Sequence, residues 1–370
     1  MPGLFSRRRF LEGAAGVAGV AGVAGAAALS GAGLAGAVEV AEAAAPRDKP
    51  TLNIICWAGY ADPSFVKPFE KMYNCRVQSI YPNTSDQMFA KWKASGGNTY
   101  DLISPSGDVT RRLMRSGTLL EIDVSKIPNF KYLFPKFNFP AWNTMDGKRY
   151  GVSFTWGPNS LIYDRKAFPT PPGSWGLIYD KRYKGKLSTA DNPITIADVA
   201  LYLGYTDCYN LSGAQLAHIK QTLIAQKPLL RLYWGSSTDL ENAFIHHEVV
   251  ASNAWPLMTN DLRKANFPIG ETIPREGATG WADTWMISRN SPNVDLAYKW
   301  INYMIGPQGQ QGVLDVTGYS GASRAVLPRL SRARVHALHM DDLSYFNKLH
   351  MWSEPANYSD WVTIWNDVKG

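Results

Sequence analysis

Aromatic side chains stand at the ends of several strand-like runs: Trp57, Tyr60, Trp255, Trp281 and Tyr319. Carboxylates lie beside them or at similar edges, at Asp108, Asp191 and Asp283, and Ser106 shares the strand end of Asp108. Trp281-Ala282-Asp283 is the sharpest grouping, since it follows the Gly-rich approach Glu276-Gly277-Ala278-Thr279-Gly280 and precedes an apolar run. Side chains alternate along a strand, so Trp281 and Asp283 share one face and can meet one ligand. These types suit the binding of an organic cation. An aromatic face attracts an ammonium by about 0.5–2 kcal/mol, and a carboxylate adds a charge-assisted hydrogen bond that fixes where the cation stops. Most Trp residues are core and most Asp residues are caps or solvated, so composition by itself leaves that plainer reading open.

Other chemistries lack their signatures. There is no Gly-rich phosphate loop, no Gly-x-Ser-x-Gly elbow and no zinc-type His-Glu pair. His246 and His247 are adjacent, and so point different ways on most backbones. Cys56, Cys75 and Cys208 are odd in number and scattered, which is no disulfide framework; Cys208 reads as lying in a polar loop. No cofactor and no metal are expected. The net charge of +7 is spread over the chain, and the one dense run, Arg329 to Arg334, reads as an exposed turn of helix. No nucleic-acid partner is therefore expected.

The elements that must position these residues follow a regular order. Leu52–Trp57, Arg76–Tyr81 and Leu102–Pro105 read as strands. Pro63–Tyr73, with an apolar face of Phe65, Val66, Phe69 and Met72, alternates with them as a helix, as do Ser85–Ala94 and Val109–Ser116. This order predicts a doubly wound α/β unit, with ligands outside the carboxyl ends of its strands. Beyond Tyr150 the pattern restarts. Val152–Phe154 and Leu161–Tyr163 are expected as strands flanking a crossover at Trp156-Gly157-Pro158. Leu187–Thr189, Val249–Trp255 and Thr284–Ser288 are further strands, and Ile194–Leu203, Gly213–Gln226 and Val294–Ile305 are helices. The expected architecture is α/β with two lobes, each a mainly parallel sheet with flanking helices, crossed by two or three chain segments with the ligand cleft between. Residues 51–156 and 283–328 are assigned to lobe 1, and 158–281 and 331–370 to lobe 2.

The N-terminal segment reads as an address. Ser6-Arg7-Arg8-Arg9-Phe10-Leu11 is followed by an uncharged Ala/Gly/Val run from Gly13 to Val38. Paired arginines, a weakly apolar stretch and small-x-small cleavage points predict a removable twin-arginine signal peptide over residues 1–43. Cleavage after Ala43 is favoured over Ala37. Residues 1–55 hold no cysteine to carry a lipid, which predicts a soluble, unlipidated periplasmic protein. The roughly 325 residues that remain suffice for two domains, and a monomer is expected.

Along nearly the whole mature part, the chain resembles the periplasmic spermidine/putrescine-binding proteins of ABC importers. The resemblance is carried by Cys56-Trp57-Ala58-Gly59-Tyr60, by Tyr100 to Ser106, and by Ser174-Trp175. It continues through Tyr183-Lys184-Gly185-Lys186-Leu187 with Asp191, Trp281-Ala282-Asp283 and Thr317-Gly318-Tyr319. It implies the two-lobed periplasmic binding-protein fold, closing by hinge bending. It also implies an aromatic box of Trp57, Tyr60, Trp255, Trp281 and Tyr319, a hydroxyl from Ser106, and ammonium partners in Asp191 and Asp283. The implied partners are a small cationic solute, an ABC permease and, during export, the twin-arginine translocase; no reaction is catalysed.

The chain departs from the family pattern at ligand-determining positions. A second acidic position falls at Ile194, a glutamine position falls near Ser353 with Glu354 beside it, and an aromatic or small position is matched by Asp108. Asp108, Asp191 and Glu354 are thus where ligand identity would be decided, and a diamine or a solute with one ammonium fits better than a long triamine. Two rivals stay open: the same fold binding an amino-acid derivative, and an exported redox enzyme. Iron capture would want adjacent tyrosines, and no Tyr-Tyr pair occurs.

Overall fold

A computed structural model describes residues 49–370; the expected signal peptide lies outside the described residues. The first α/β run comprises β1 (Thr51–Ile55), α1 (Pro63–Tyr73), β2 (Arg76–Ile80), α2 (Ser85–Ala94), β3 (Leu102–Ile103) and α3 (Gly107–Arg115). β1 pairs in parallel with both β2 and β3. Local chemistry sets these boundaries. Asp62 caps α1 by accepting the Ser64 N–H at 2.8 Å, Pro63 opens the helix, and Asn74 in the left-handed region ends it. Phe65, Val66 and Phe69 are buried, but Met72, expected on the same apolar face, is 56% exposed. At helical spacing it falls at the edge of the buried stripe.

After the hairpin of β4 (Thr144–Met145) and β5 (Lys148–Arg149), the chain passes between the lobes for the first time. β6 (Val152–Pro158) belongs to the first sheet and β7 (Ser160–Asp164) to the second, with only Asn159 between them. The segment Trp156–Pro158, expected as a crossover, is therefore strand. Its residues pair with β12, and proline is tolerated as the last residue of β6.

The second lobe contains β8 (Leu187–Ala190), α4 (Thr195–Tyr202), α5 (Gly213–Gln226), β9 (Leu230–Trp234), α6 (Ser237–Ile245), β10 (Ala251–Ala254), α7 (Pro256–Lys264) and β11 (Ile269–Thr272). Its five-stranded sheet has the order β11-β7-β10-β8-β9. The chain returns through β12 (Ala278–Ile287), α8 (Val294–Met304), α9 (Pro307–Thr317), β13 (Ser320–Gly321), α10 (Arg332–Ala337), β14 (Leu349–Met351) and α11 (Tyr358–Lys369). The first sheet is seven-stranded, ordered β13-β6-β12-β3-β1-β2, with β14 on β12.

Each sheet joins a parallel α/β half to antiparallel strands, and the antiparallel strands include those that cross between lobes. β12 runs unbroken in the first sheet, so the change of lobe assigned between 281 and 283 lies before Ala278. The last crossing divides the C-terminal segment. β14 sits on the first sheet, while α11 packs on the second lobe, where Lys220 of α5 meets Asp367 at 2.7 Å. The three cysteines are unbridged and buried. Cys208, expected in a polar loop, is 1% exposed, because Tyr209 beside it stacks on Trp361 and draws the loop inward.

Candidate functional site

A cavity of about 240 Å³ opens where the two sheets face each other. The first lobe supplies Trp57, Tyr60, Ser85, Ser106, Trp281, Asp283 and Tyr319, the second supplies Asn192, Gly235, Ser236, Ser237, Thr238, Trp255 and Leu257, and Trp352 follows β14. Strand ends place most of these groups. Trp57 and Tyr60 form the turn that leaves β1, closed by the Tyr60 N–H on the Trp57 carbonyl at 3.2 Å. Gly59 takes φ +87° in that turn, and a Cβ there would meet the Thr317 methyl at 2.9 Å, so glycine is required. Ser106 is the residue before α3, Trp255 the residue before α7, and Tyr319 follows the left-handed Gly318 that ends α9. Trp281 lies opposite Gly157 in the β6–β12 ladder. A Cβ at Gly157 would sit 2.6 Å from the Trp281 ring, so the glycine leaves room for the indole to lie across the strand.

Asp283 is the chemical centre of this cavity. It is 2% exposed, and its carboxylate accepts the hydroxyls of Tyr60 and of Ser106, the latter at 2.5 Å. Burial pushes its pKa up to about 8; the two hydroxyl bonds pull it back, and the nearby Asp108 carboxylate pushes it up. No lysine, arginine or histidine among the described residues neutralises it. Aromatic rings surround the position where a counter-charge would sit. The Trp281 and Tyr319 rings meet at 4.4 Å, and Tyr60 and Tyr319 at 6.1 Å, both edge to face. A desolvated carboxylate in an aromatic-lined cavity is suited to an organic ammonium, whose charge offsets the burial and whose N–H groups find acceptors.

The profile of the bacterial extracellular solute-binding proteins matches residues 64–333. The chain belongs to this family. Among curated relatives, the spermidine/putrescine-binding periplasmic protein of Escherichia coli strain K12 is 28% identical over 296 residues, covering 78% of this chain and 82% of its own. The putrescine/cadaverine-binding protein of Pseudomonas aeruginosa is 27% identical over 321 residues, covering 79% and 85% respectively. A solved structure described as a putative spermidine/putrescine ABC transporter from Listeria monocytogenes superposes with a TM-score of 0.77 at 24% identity, over 87% of this chain and 99% of its own. The fold is thus that of the two-lobed periplasmic binding proteins, and the family consists of solute-binding receptors. No helix among the described residues is long and apolar enough to cross a membrane.

Against this cavity, the expected site residues divide. Trp57, Tyr60, Ser106, Trp255, Trp281, Asp283 and Tyr319 line it together. Asp108, Asp191, Ser353 and Glu354 do not. Asp108 is buried in the first turn of α3, behind the cavity wall. Burial pushes its pKa up to about 7, while the Ser85 hydroxyl and the Arg112 charge pull it down. Asp191 turns away to Lys369, whose Nζ lies 2.6 Å from both carboxylate oxygens, and to the Trp365 N–H at 3.0 Å. Glu354 is held by Arg115 of α3, and Ser353 is exposed; the residue of that segment that faces the cavity is Trp352.

Several lining residues were not anticipated from the sequence: Ser85, Asn192, Gly235 to Thr238, Leu257 and Trp352. A signal for part of this wall did exist. Ser236-x-x-Asp239 is a capping box that starts α6 directly after the strand β9, which places residues 235–238 at a strand's carboxyl end.

Proposed function

We propose that this chain is the solute-binding receptor of an ABC importer, capturing an organic ammonium solute of the polyamine class and presenting it to a membrane permease. One observation carries the reading: the carboxylate of Asp283, buried without a cationic partner, in a cavity lined by Trp281, Tyr319 and Tyr60. The names of the relatives, binding proteins for spermidine, putrescine and cadaverine, point the same way. The cavity volume lies below the roughly 300–1,000 Å³ typical of drug-sized pockets, which fits a slender aliphatic solute. Contacts from both lobes favour the closed form once the solute is bound, and the permease reads that closed form. The receptor works in the periplasm, unlipidated and monomeric, after export by the twin-arginine route.

Isothermal titration of the purified protein with aliphatic amines tests this. At least one primary amine should bind at micromolar concentration or tighter. Asp283→Asn should weaken that binding by well over tenfold, since a charged hydrogen bond contributes about 1.5–3 kcal/mol. Silence from every amine, or an unchanged isotherm in D283N, would remove the proposed pocket while leaving the fold intact.

A further inference from the structure

Away from the cavity, the first lobe carries a surface with a single sign of charge. Residues 124–145 hold Lys126, Lys131 and Lys136, residues 316–340 hold Arg324, Arg329, Arg332 and Arg334, and neither segment contains an Asp or Glu. At the chain's density of 31 acidic residues in 370, the two segments together would carry about four. The fold lays them side by side at the β13 edge of the first sheet. The Phe134 N–H binds the Ala322 carbonyl at 3.0 Å, and Leu133 and Ser323 form an antiparallel bridge. Lys131, Lys136, Arg324, Arg329 and Arg332 are exposed, and among the described residues no carboxylate pairs with any of them. Acids that border the surface are engaged elsewhere. Asp295 meets Lys126 at 3.8 Å, Asp341 binds His336 at 2.8 Å, and Asp342 accepts the Ser344 N–H. Asp315 follows Leu314, whose carbonyl takes Arg334, and offsets one of these charges. Apolar side chains stand among the cations. Three of the seven large apolar side chains exposed among the described residues fall here, at Val124, Tyr132 and Phe139, the last 54% exposed. The Arg149 guanidinium lies over the rings of Phe130 and Phe139, at 4.7 and 4.9 Å from their centres.

We propose that this surface docks the protein on an anionic phospholipid bilayer. A protein partner is a poorer match, because charged residues are depleted at the centres of protein interfaces, lysine among them. Here the cations dominate, and no carboxylate holds them in a fixed register. A fluid anionic surface needs no register. Its potential draws each Lys or Arg that comes within about a Debye length. The aliphatic stems can lie along the interface while the charged heads reach phosphate. Exposed aromatic rings such as Tyr132 and Phe139 settle at headgroup depth, adding a shallow apolar contact. Attachment of this kind is reversible, since it lacks a buried lipid chain or a spanning helix. It would concentrate a receptor without a lipid anchor beside a permease embedded in the same membrane. None of these residues lines the cavity, so docking and solute binding can fail separately.

Co-sedimentation of the purified protein with vesicles tests this, using phosphatidylcholine alone and phosphatidylcholine with about 30% phosphatidylglycerol. The protein should bind the anionic vesicles at least about tenfold more strongly than the neutral ones, and raising the salt from about 0.05 M to about 0.5 M should release most of it. The double variant R324Q/R329Q should weaken binding to the anionic vesicles by about tenfold or more. K181Q/K184Q, the same change of charge on the second lobe, should leave it near the native value. Phe139→Ala should weaken it by about five- to tenfold, as a shallow apolar contact requires. Thermal melts close to that of the native chain show that each variant is folded. No preference for anionic vesicles overturns the proposal and leaves an acidic protein surface as the occupant. Equal losses from the two double variants also overturn it, since binding would then follow net charge alone. Native binding by F139A would reduce the surface to a site for soluble polyanions and overturn the bilayer as its partner.

Discussion

The Asp283 carboxylate accepts the Ser106 hydroxyl at 2.5 Å, which joins the middle of β12 to the residue that precedes α3. With the Tyr60 hydroxyl on its other oxygen, this fixes the carboxylate before any solute arrives. Pre-organisation of that kind lowers the ordering cost of binding. Ser106→Ala and Tyr60→Phe should each weaken amine binding by about two- to twelvefold, the span of roughly 0.5–1.5 kcal/mol that a typical hydrogen bond contributes. Both should weaken it less than Asp283→Asn. Calorimetric titration of the three variants checks the ranking, and equal losses from all three would refute it.

The same carboxylate makes binding pH-dependent. Its pKa stands at about 8 before a cation arrives, raised by burial. Only the ionised form pairs with an ammonium, so affinity should rise with pH up to about 8, with a slope approaching tenfold per unit below it. Titrations at pH 6, 7, 8 and 9 in one buffer series test this, and a flat profile would contradict it. In D283N the slope should vanish.

Stability of the protein without solute should move the opposite way. Asp108 and Asp198 are pushed up to about 7 and Asp283 to about 8, each chiefly by burial, from an ordinary value of 3.8. Over that interval the folded chain binds protons more tightly than the unfolded chain. The stabilisation is fully present below the unfolded value and is lost as pH rises through 7 to 8. Thermal melts should therefore show Tm falling from pH 5 to pH 8.5. Saturating amine should offset part of the fall by supplying the counter-charge for Asp283.

Much of this arrangement was legible in the sequence where the determinant is local. α1, α2 and α5 begin at Asp62-Pro63, Thr84 and Ser212, whose side chains cap the first turn, so periodicity and capping chemistry agree on their bounds. Trp281 and Asp283 were paired by strand alternation alone, and both face the cavity. What escaped depends on partners far along the chain. Nothing near Asp191 signals that Lys369, 178 residues later, takes its carboxylate, or that Arg115 reaches Glu354 across 239 residues. The crossover expected at Trp156–Pro158 failed for a related reason. The chain crosses one residue later, at Asn159, because Gly157 is a strand position whose missing side chain accommodates the Trp281 ring of β12.

The two strand crossings share a buried carboxylate, which makes a sharp test of the lobe junction. Asp198, in α4 of the second lobe, accepts from the Asn159 amide, from the Thr279 hydroxyl at 2.7 Å and from the Asn253 amide at 3.5 Å. Asn159 is the single residue between β6 and β7, and Thr279 lies at the start of β12. Thr279 also accepts the Trp352 indole N–H at 3.1 Å, so the network reaches a wall of the cavity. Asp198→Ala should leave these donors buried and unpaired, at about 1–3 kcal/mol, and lower the urea midpoint without changing the slope. Ligand affinity should fall with it, because Trp352 loses its support. An Asp198→Ala protein with native midpoint and native affinity would show that the junction does not depend on this carboxylate.

Gly157→Ala probes the ring rather than the charge. The added methyl would stand 2.6 Å from Trp281 Cζ2, on a strand held on both sides by β12 and β13, so the indole must move and not the backbone. Overpacking of this kind typically destabilises by about 1–3 kcal/mol. Trp281 also meets Tyr319 at 4.4 Å, and displacing it removes the ring wall beside Asp283. The variant should therefore lose amine affinity by tenfold or more, since aromatic contact to a desolvated cation contributes about 2 kcal/mol. Asp283 itself keeps its bonds to Tyr60 and Ser106, so the pH slope of whatever binding remains should be that of the native chain. A loss of affinity accompanied by a flattened slope would instead mean that the methyl had disturbed the carboxylate, and that Trp281 does not act as a wall of its own.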